Sequence, residues 1–135
     1  MRKIDKIIIH CTATPEGRDV SVGEVRQWHL ARGWSDVGYH YLITLNGTVE
    51  VGRPESKVGA HVKGENKHSI GIAYAGGMDK SFKNPKDTRT HEQKQALIWL
   101  IDELKKRYPG STVHGHNEFT TYKACPSFDV SKEGY

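Results

Sequence analysis

Eight histidines and two cysteines, Cys11 and Cys125, carry most of this chain's capacity for metal or nucleophilic chemistry. His114, His116 and Cys125 lie close together toward the carboxyl end, and His10 ends a short apolar run from which it could reach them. Hydrolytic zinc takes three protein ligands and leaves one position open, because the open position holds the water to be activated. A thiolate and two imidazoles suit that ion in softness and in tetrahedral geometry. The i, i+2 relation of His114 and His116 puts both on one face of a strand. Nothing resembles the helix-borne His-Glu-x-x-His signature, so spacing alone leaves two readings open: a zinc site, or isolated structural and surface histidines. Two cysteines are too few for a disulfide framework, and a Cys11 to Cys125 bridge is the structural alternative to a ligand role.

The elements that must position these groups are legible from local pattern. Lys6 to His10, with Ile7-Ile8-Ile9, reads as a buried strand that delivers His10 at its end and turns Cys11 to the opposite face. After a turn at Thr14-Pro15-Glu16-Gly17, Ser21 and Glu24 form a capping box for a helix over Val22 to Arg32, stopped by Gly33. Tyr39 to Leu45 and Thr48 to Gly52 flank Asn46-Gly47, which predicts a tight hairpin with two positive-φ residues. Ile70 to Ala75 reads as a strand ending at Gly76-Gly77, and the polar stretch from Met78 to Thr90 as an exposed loop. Thr90 with Gln93 caps a second helix whose Leu97, Leu100, Ile101, Leu104 and Tyr108 share one face, closed by Pro109-Gly110. A short strand over Ser111 to His114 follows, then an irregular segment with His116, Lys123 and Cys125. This order predicts an α/β (α+β) fold, a single domain over residues 1–135 with a central mixed β-sheet flanked by two main helices.

At 135 residues with 36% hydrophobic content, the chain has room for one core that needs no cross-link. A net charge of +4, spread along the chain with no recognisable nucleic-acid module, argues against nucleic acid as a partner. No run approaches the roughly 18 apolar residues of a membrane helix, so no membrane role is expected. The opening residues lack the apolar core and cleavage site of a signal peptide, which predicts synthesis in the cytosol.

Five motifs carry a resemblance: Ile8-Ile9-His10-Cys11-Thr12-Ala13-Thr14, Asp36-Val37-Gly38-Tyr39-His40-Tyr41, Gly59-Ala60-His61 with Ser69-Ile70-Gly71-Ile72, Gly115-His116-Asn117-Glu118, and Lys123-Ala124-Cys125-Pro126-Ser127-Phe128-Asp129. In this order they resemble the type 2 N-acetylmuramoyl-L-alanine amidases, the family of phage endolysins and animal peptidoglycan recognition proteins, with small single-domain phage lysozymes the nearest in kind. The resemblance runs from about Ile7 to Asp129. It implies zinc held by His10, His116 and Cys125, which leaves His114 out of the ligand set. It further implies catalytic roles for Tyr39 and Lys123 and muramyl-peptide contacts from His61, Asn66 and His29. The activity it implies is hydrolysis of the amide between the lactyl group of N-acetylmuramic acid and L-alanine, on the cell wall after release.

The chemistry of the residues agrees. Lys123, two residues before a ligand, can stabilise the oxyanion on the substrate. An ordinary phenol has a pKa near 10, so Tyr39 suits orientation and proton transfer better than simple deprotonation. Tyr39 and His40 point to opposite sides of a regular strand, which makes His40 structural. One residue more than in the nearest phage relatives separates Glu118 from Lys123, and the carboxyl-terminal helix of longer members is cut short. The competing functions are a peptidoglycan receptor without catalysis, a regulator docking on RNA polymerase as one phage member does, and a Cys-His hydrolase with Cys125 as nucleophile. A monomer is expected.

Overall fold

Ile7, Ile8 and Ile9 are all fully buried, which a strand achieves only where both faces of its sheet are covered. In the computed structural model, which describes residues 2–135, they lie on β1 (Lys6–Cys11), between two parallel neighbours. The other elements are β2 (Thr14–Pro15), α1 (Val22–Ala31), β3 (Tyr41–Ile43), β4 (Val49–Val51), β5 (Ser69–Tyr74), β6 (Gly77–Met78), α2 (His91–Arg107) and β7 (Thr112–Gly115). Five strands form one sheet in the order β4-β3-β5-β1-β7, with β2 and β6 as a separate short pair. Within this sheet, among the described residues, only the β3–β4 pairing is antiparallel, so the sheet is mixed, as expected.

The two-residue period of the strands divides the molecule into two layers. Ile7, Ile9 and Cys11 of β1 pack with Ile70, Ile72 and Tyr74 of β5 and with Leu97, Leu100, Ile101 and Leu104 of α2. Each such buried aliphatic side chain contributes about 1.5–3 kcal/mol. Leu42 and Ala75 instead join Val20, Val25 and Val37 beside α1. Ile8 and His10 therefore face away from α2, toward the side on which the chemistry is built.

Local signals held closely for the helices. Thr90 and Gln93 form both halves of the capping box, at 2.9 and 3.0 Å. The buried Gln93 amide also donates to the carbonyls of Ile43 and Ala75 at 3.2 and 3.0 Å, tying the start of α2 to β3 and to the end of β5. At α1, Ser21 Oγ accepts from the Glu24 amide at 3.2 Å. The Glu24 carboxylate pairs with Arg18 instead of returning to the cap, so only half of that box forms.

The hairpin differs from expectation. Gly47 has φ +84, while Asn46 does not take positive φ. The Gly47 amide donates to Thr44 O at 2.9 Å and the Thr44 amide to Thr48 O at 3.0 Å. That is a three-residue loop, a turn followed by a left-handed glycine bulge. Asn46 Oδ1 accepts from Thr44 Oγ1 and from the Thr48 amide, at 2.6 and 3.2 Å, which holds Asn46 inside the turn. The strands it joins are shorter than the alternating sequence suggests. The polar segment after Met78 is exposed from Lys80 to Asp87, but Thr88 and Arg89 are buried. Arg89 pairs with Asp87 and Glu133, both at 2.8 Å, and its guanidinium lies over the Phe128 ring at 3.5 Å. Among the described residues no helix is long and apolar enough to cross a membrane.

Candidate metal centre

Three segments distant in sequence converge on one point. β1 brings His10, the turn after β7 brings His116, and the loop beyond it brings Cys125. One donor atom from each lies within 4.8 Å of the others. Cys125 Sγ is 3.8 Å from His10 Nδ1, close to the separation of about 3.6 Å that two ligands of a tetrahedral zinc require. The donor set and its spacing therefore fit zinc.

His114 is not part of this group. β7 ends at Gly115, and His116 begins a single turn that the Glu118 carboxylate closes by accepting from the Gly115 amide at 2.7 Å. β7 pairs with β1 so that His114 stands opposite Ile8, on the face of His10 but two positions short of it. His114 binds Glu118 at 2.9 Å and Thr112 at 2.7 Å, while His116, two residues further on, faces His10 at a ring separation of 4.7 Å. Cys11 points to the α2 side, as alternation requires, yet its amide donates to Cys125 Sγ at 3.1 Å. That contact favours a thiolate. Both cysteines are free. Without a metal, the hydrogen bond with Cys11 and then burial push the Cys125 thiol up.

His10 is 1% exposed. Burial first, then the neighbouring His61 and His116, hold it well below its ordinary value, so the imidazole is neutral as a ligand must be. Its Nε2 lies 2.8 Å from His61 Nδ1. His61 Nε2 lies 3.2 Å from Ser69 Oγ, which donates to Glu65 O at 2.8 Å. Burial lowers His61 to about 3. Both its nitrogens are engaged, so only its carbon edge remains for any further contact. Asn66 Oδ1 accepts from the amides of His61 and Val62 at 2.8 and 2.9 Å and so fixes the loop that carries His61. The pattern-based reading missed Ser69 and Gly71. A glycine inside a strand is the one signal that was available for them, since it marks a close approach. A Cβ on Gly71 would meet the His61 ring at 2.7 Å.

Tyr39 sits just before β3 instead of on it, with its ring 5.1 Å from that of His10 and 5.7 Å from that of His29. Burial pushes its phenol well up, so it stays protonated at neutral pH. His29 Nδ1 accepts from the Gly38 amide at 2.8 Å, and burial lowers it to about 4. His29 and Tyr39 line a small cleft of 70 Å³ with Trp28 and Arg32. His61 and Asn66 border a second cavity of 270 Å³ with Trp34 and Lys63. Lys123 is exposed, and its charge adds to burial in lowering His116 and acts on Cys125. His40 is fully buried, its Nδ1 accepting from the Gly71 amide at 3.1 Å and its Nε2 meeting Lys57 O at 2.7 Å, a structural role.

The family profile described as N-acetylmuramoyl-L-alanine amidase matches residues 1–128. The endolysin of Klebsiella phage KP32 is 46% identical over 131 residues, covering 97% of this chain and 85% of that protein. The endolysin of Escherichia phage T7 is 45% identical over 128 residues, covering 95% and 83%. Among solved structures, the N-acetylmuramoyl-L-alanine amidase LysC from Clostridium intestinale URNW superposes with a TM-score of 0.83 at 28% identity, covering 98% of this chain and 83% of that one.

Proposed function

Since the chain belongs to the N-acetylmuramoyl-L-alanine amidase family, we propose that it is a zinc-dependent endolysin in which His10, His116 and Cys125 hold one ion. Its substrate is peptidoglycan, cut at the amide between N-acetylmuramic acid and L-alanine. The observation that carries the zinc reading is the convergence of two imidazoles and one thiol within 4.8 Å.

When bound, zinc supplies a water whose pKa falls to about 7 and a Lewis acid for the scissile carbonyl. The remaining work belongs to the chain. Tyr39, beside His10 and protonated, donates a hydrogen bond that orients the attacking water and later passes a proton. Lys123, on the exposed lip, approaches the carbonyl oxygen from the substrate side and stabilises the negative charge that develops there. The clefts on either side of Tyr39 and His61 receive the muramyl-peptide, with His29, Asn66 and the carbon edge of His61 in their walls. The protein reaches the wall after release from the cell that makes it, and acts as a monomer.

Digestion of purified peptidoglycan tests this. New amino ends on L-alanine and free muramic acid carboxyls should appear, and should vanish with a strong chelator and return with added zinc. Activity that survives chelation would refute the zinc reading and favour Cys125 as a nucleophile paired with His10.

A further inference from the structure

His61 has no free nitrogen, and a chain of hydrogen bonds runs from the metal centre through it to a backbone carbonyl. We infer that His61 and Ser69 are positioning residues that fix the tautomer of His10 and so present its Nδ1 lone pair to the metal. This rests on the reading of His10, His116 and Cys125 as a zinc site.

The direction of the chain follows from its far end. The Glu65 carbonyl has no proton to give, so the single hydroxyl proton of Ser69 must point to it across 2.8 Å. Were that proton turned toward His61, two oxygen lone pairs would face each other at that separation. Ser69 Oγ therefore accepts from His61 Nε2–H at 3.2 Å. His61 Nδ1 is then bare and accepts from His10 Nε2–H at 2.8 Å. The remaining nitrogen of His10, Nδ1, carries no proton, and it is the one 3.8 Å from Cys125 Sγ. Reversing any link would put a proton on Nδ1, in the place of the metal.

The surroundings are built for this. The His61 ring packs against the bare backbone of Gly71, where a side chain would collide with it. Its own amide is tied to Asn66. Outer partners of this kind typically change metal affinity 10–100-fold when removed.

The experiment measures zinc affinity by competition with a chromophoric chelator, together with the tautomer of His10 by nitrogen NMR of the metal-free protein. Wild type should show His10 as the Nε2–H form. His61→Leu should bind zinc about 10–100-fold more weakly, with His10 no longer held in that form. His61→Asn, whose amide oxygen can take the place of Nδ1, should restore most of the affinity. Ser69→Ala should mix the tautomers and weaken zinc less than His61→Leu. Zinc affinity unchanged in His61→Leu, or an Nδ1–H tautomer in the wild type, would overturn the inference. A wild type that binds no zinc yet keeps His10 as Nε2–H would overturn the reading of the centre and leave the proton order standing.

Discussion

Gly71→Ala makes the dependence of the centre on the sheet beneath it measurable. The added methyl would lie 2.7 Å from Cγ and Cδ2 of His61, against about 3.5 Å for a relaxed carbon contact. The ring must therefore retreat by about 0.8 Å. The methyl would stand nearly equidistant from Cγ, Cδ2 and Nδ1, over the ring face, so the retreat runs across the 2.8 Å bond between His61 and His10 and weakens it by misaligning the ring, with little change in length. Weakening that bond costs up to about 1 kcal/mol, and overpacking adds about 1–3 kcal/mol. The gain from replacing a strand glycine offsets about 0.5 kcal/mol of this. A net loss of about 2 kcal/mol lowers Tm by roughly 5–10 °C in a domain of this size. Thermal unfolding of the metal-free protein reads the first quantity, and equilibrium dialysis of zinc reads the second, expected to fall about tenfold. Trimming the ring removes the collision, so Gly71→Ala should cost much less in a His61→Ala background, a coupling that a double-mutant cycle exposes. If the methyl costs the same with and without the imidazole, the reasoning fails.

The other expectations can be stated briefly. Cys125→Ala removes one of three donors, so zinc content measured by elemental analysis should fall from one ion per chain to a small fraction, and turnover with it. Tyr39→Phe and Lys123→Ala should keep zinc but lose about 10²–10³-fold in turnover on peptidoglycan; full activity in either removes that residue from the mechanism. Gln93→Leu strands the carbonyl of Ala75, leaves that of Ile43 with the Ala75 amide alone and removes half of the α2 cap, at a cost of about 1–3 kcal/mol by urea unfolding. Burial lowers His40 to about 4 from its ordinary 6.5. The unfolded chain then binds the extra proton first as pH falls. The neutral form's contribution is complete above about pH 6.5 and is lost progressively down to about pH 4, worth about 3 kcal/mol. Urea midpoints across that range should vary less in His40→Asn, and an unchanged pH dependence would rule His40 out as the cause.

Much of the scaffold was written in short-range pattern. Thr90 and Gln93 lie three residues apart and need only a helix start to meet, so their box formed in full. Ser21 and Glu24 have the same spacing, but Arg18 lies within reach of the carboxylate and captures it. Asn46-Gly47 marked the reversal correctly yet not its geometry, because Asn46 turned its side chain onto Thr44 and Thr48 and left the left-handed conformation to Gly47 alone.

The amino-acid order by itself determined where His10 emerges, at the end of an isoleucine run that can only be an inner strand. The likeness of five motifs to a known family pointed to His116 and Cys125 as its partners in the proposed site. What it could not decide from spacing was which of His114 and His116 joins His10, since both share one strand face and only the register of β7 against β1, with His114 opposite Ile8, carries His116 on to His10. Nor could it foresee that His61 stands behind His10 and not simply beside the groove. The residues that meet at this centre come from segments 51 to 115 residues apart, and the parallel pairing of β5, β1 and β7 brings such segments together. Helix caps and strand faces are set by neighbours along the chain. A metal centre is set by neighbours across the sheet, where no period in the sequence reports them.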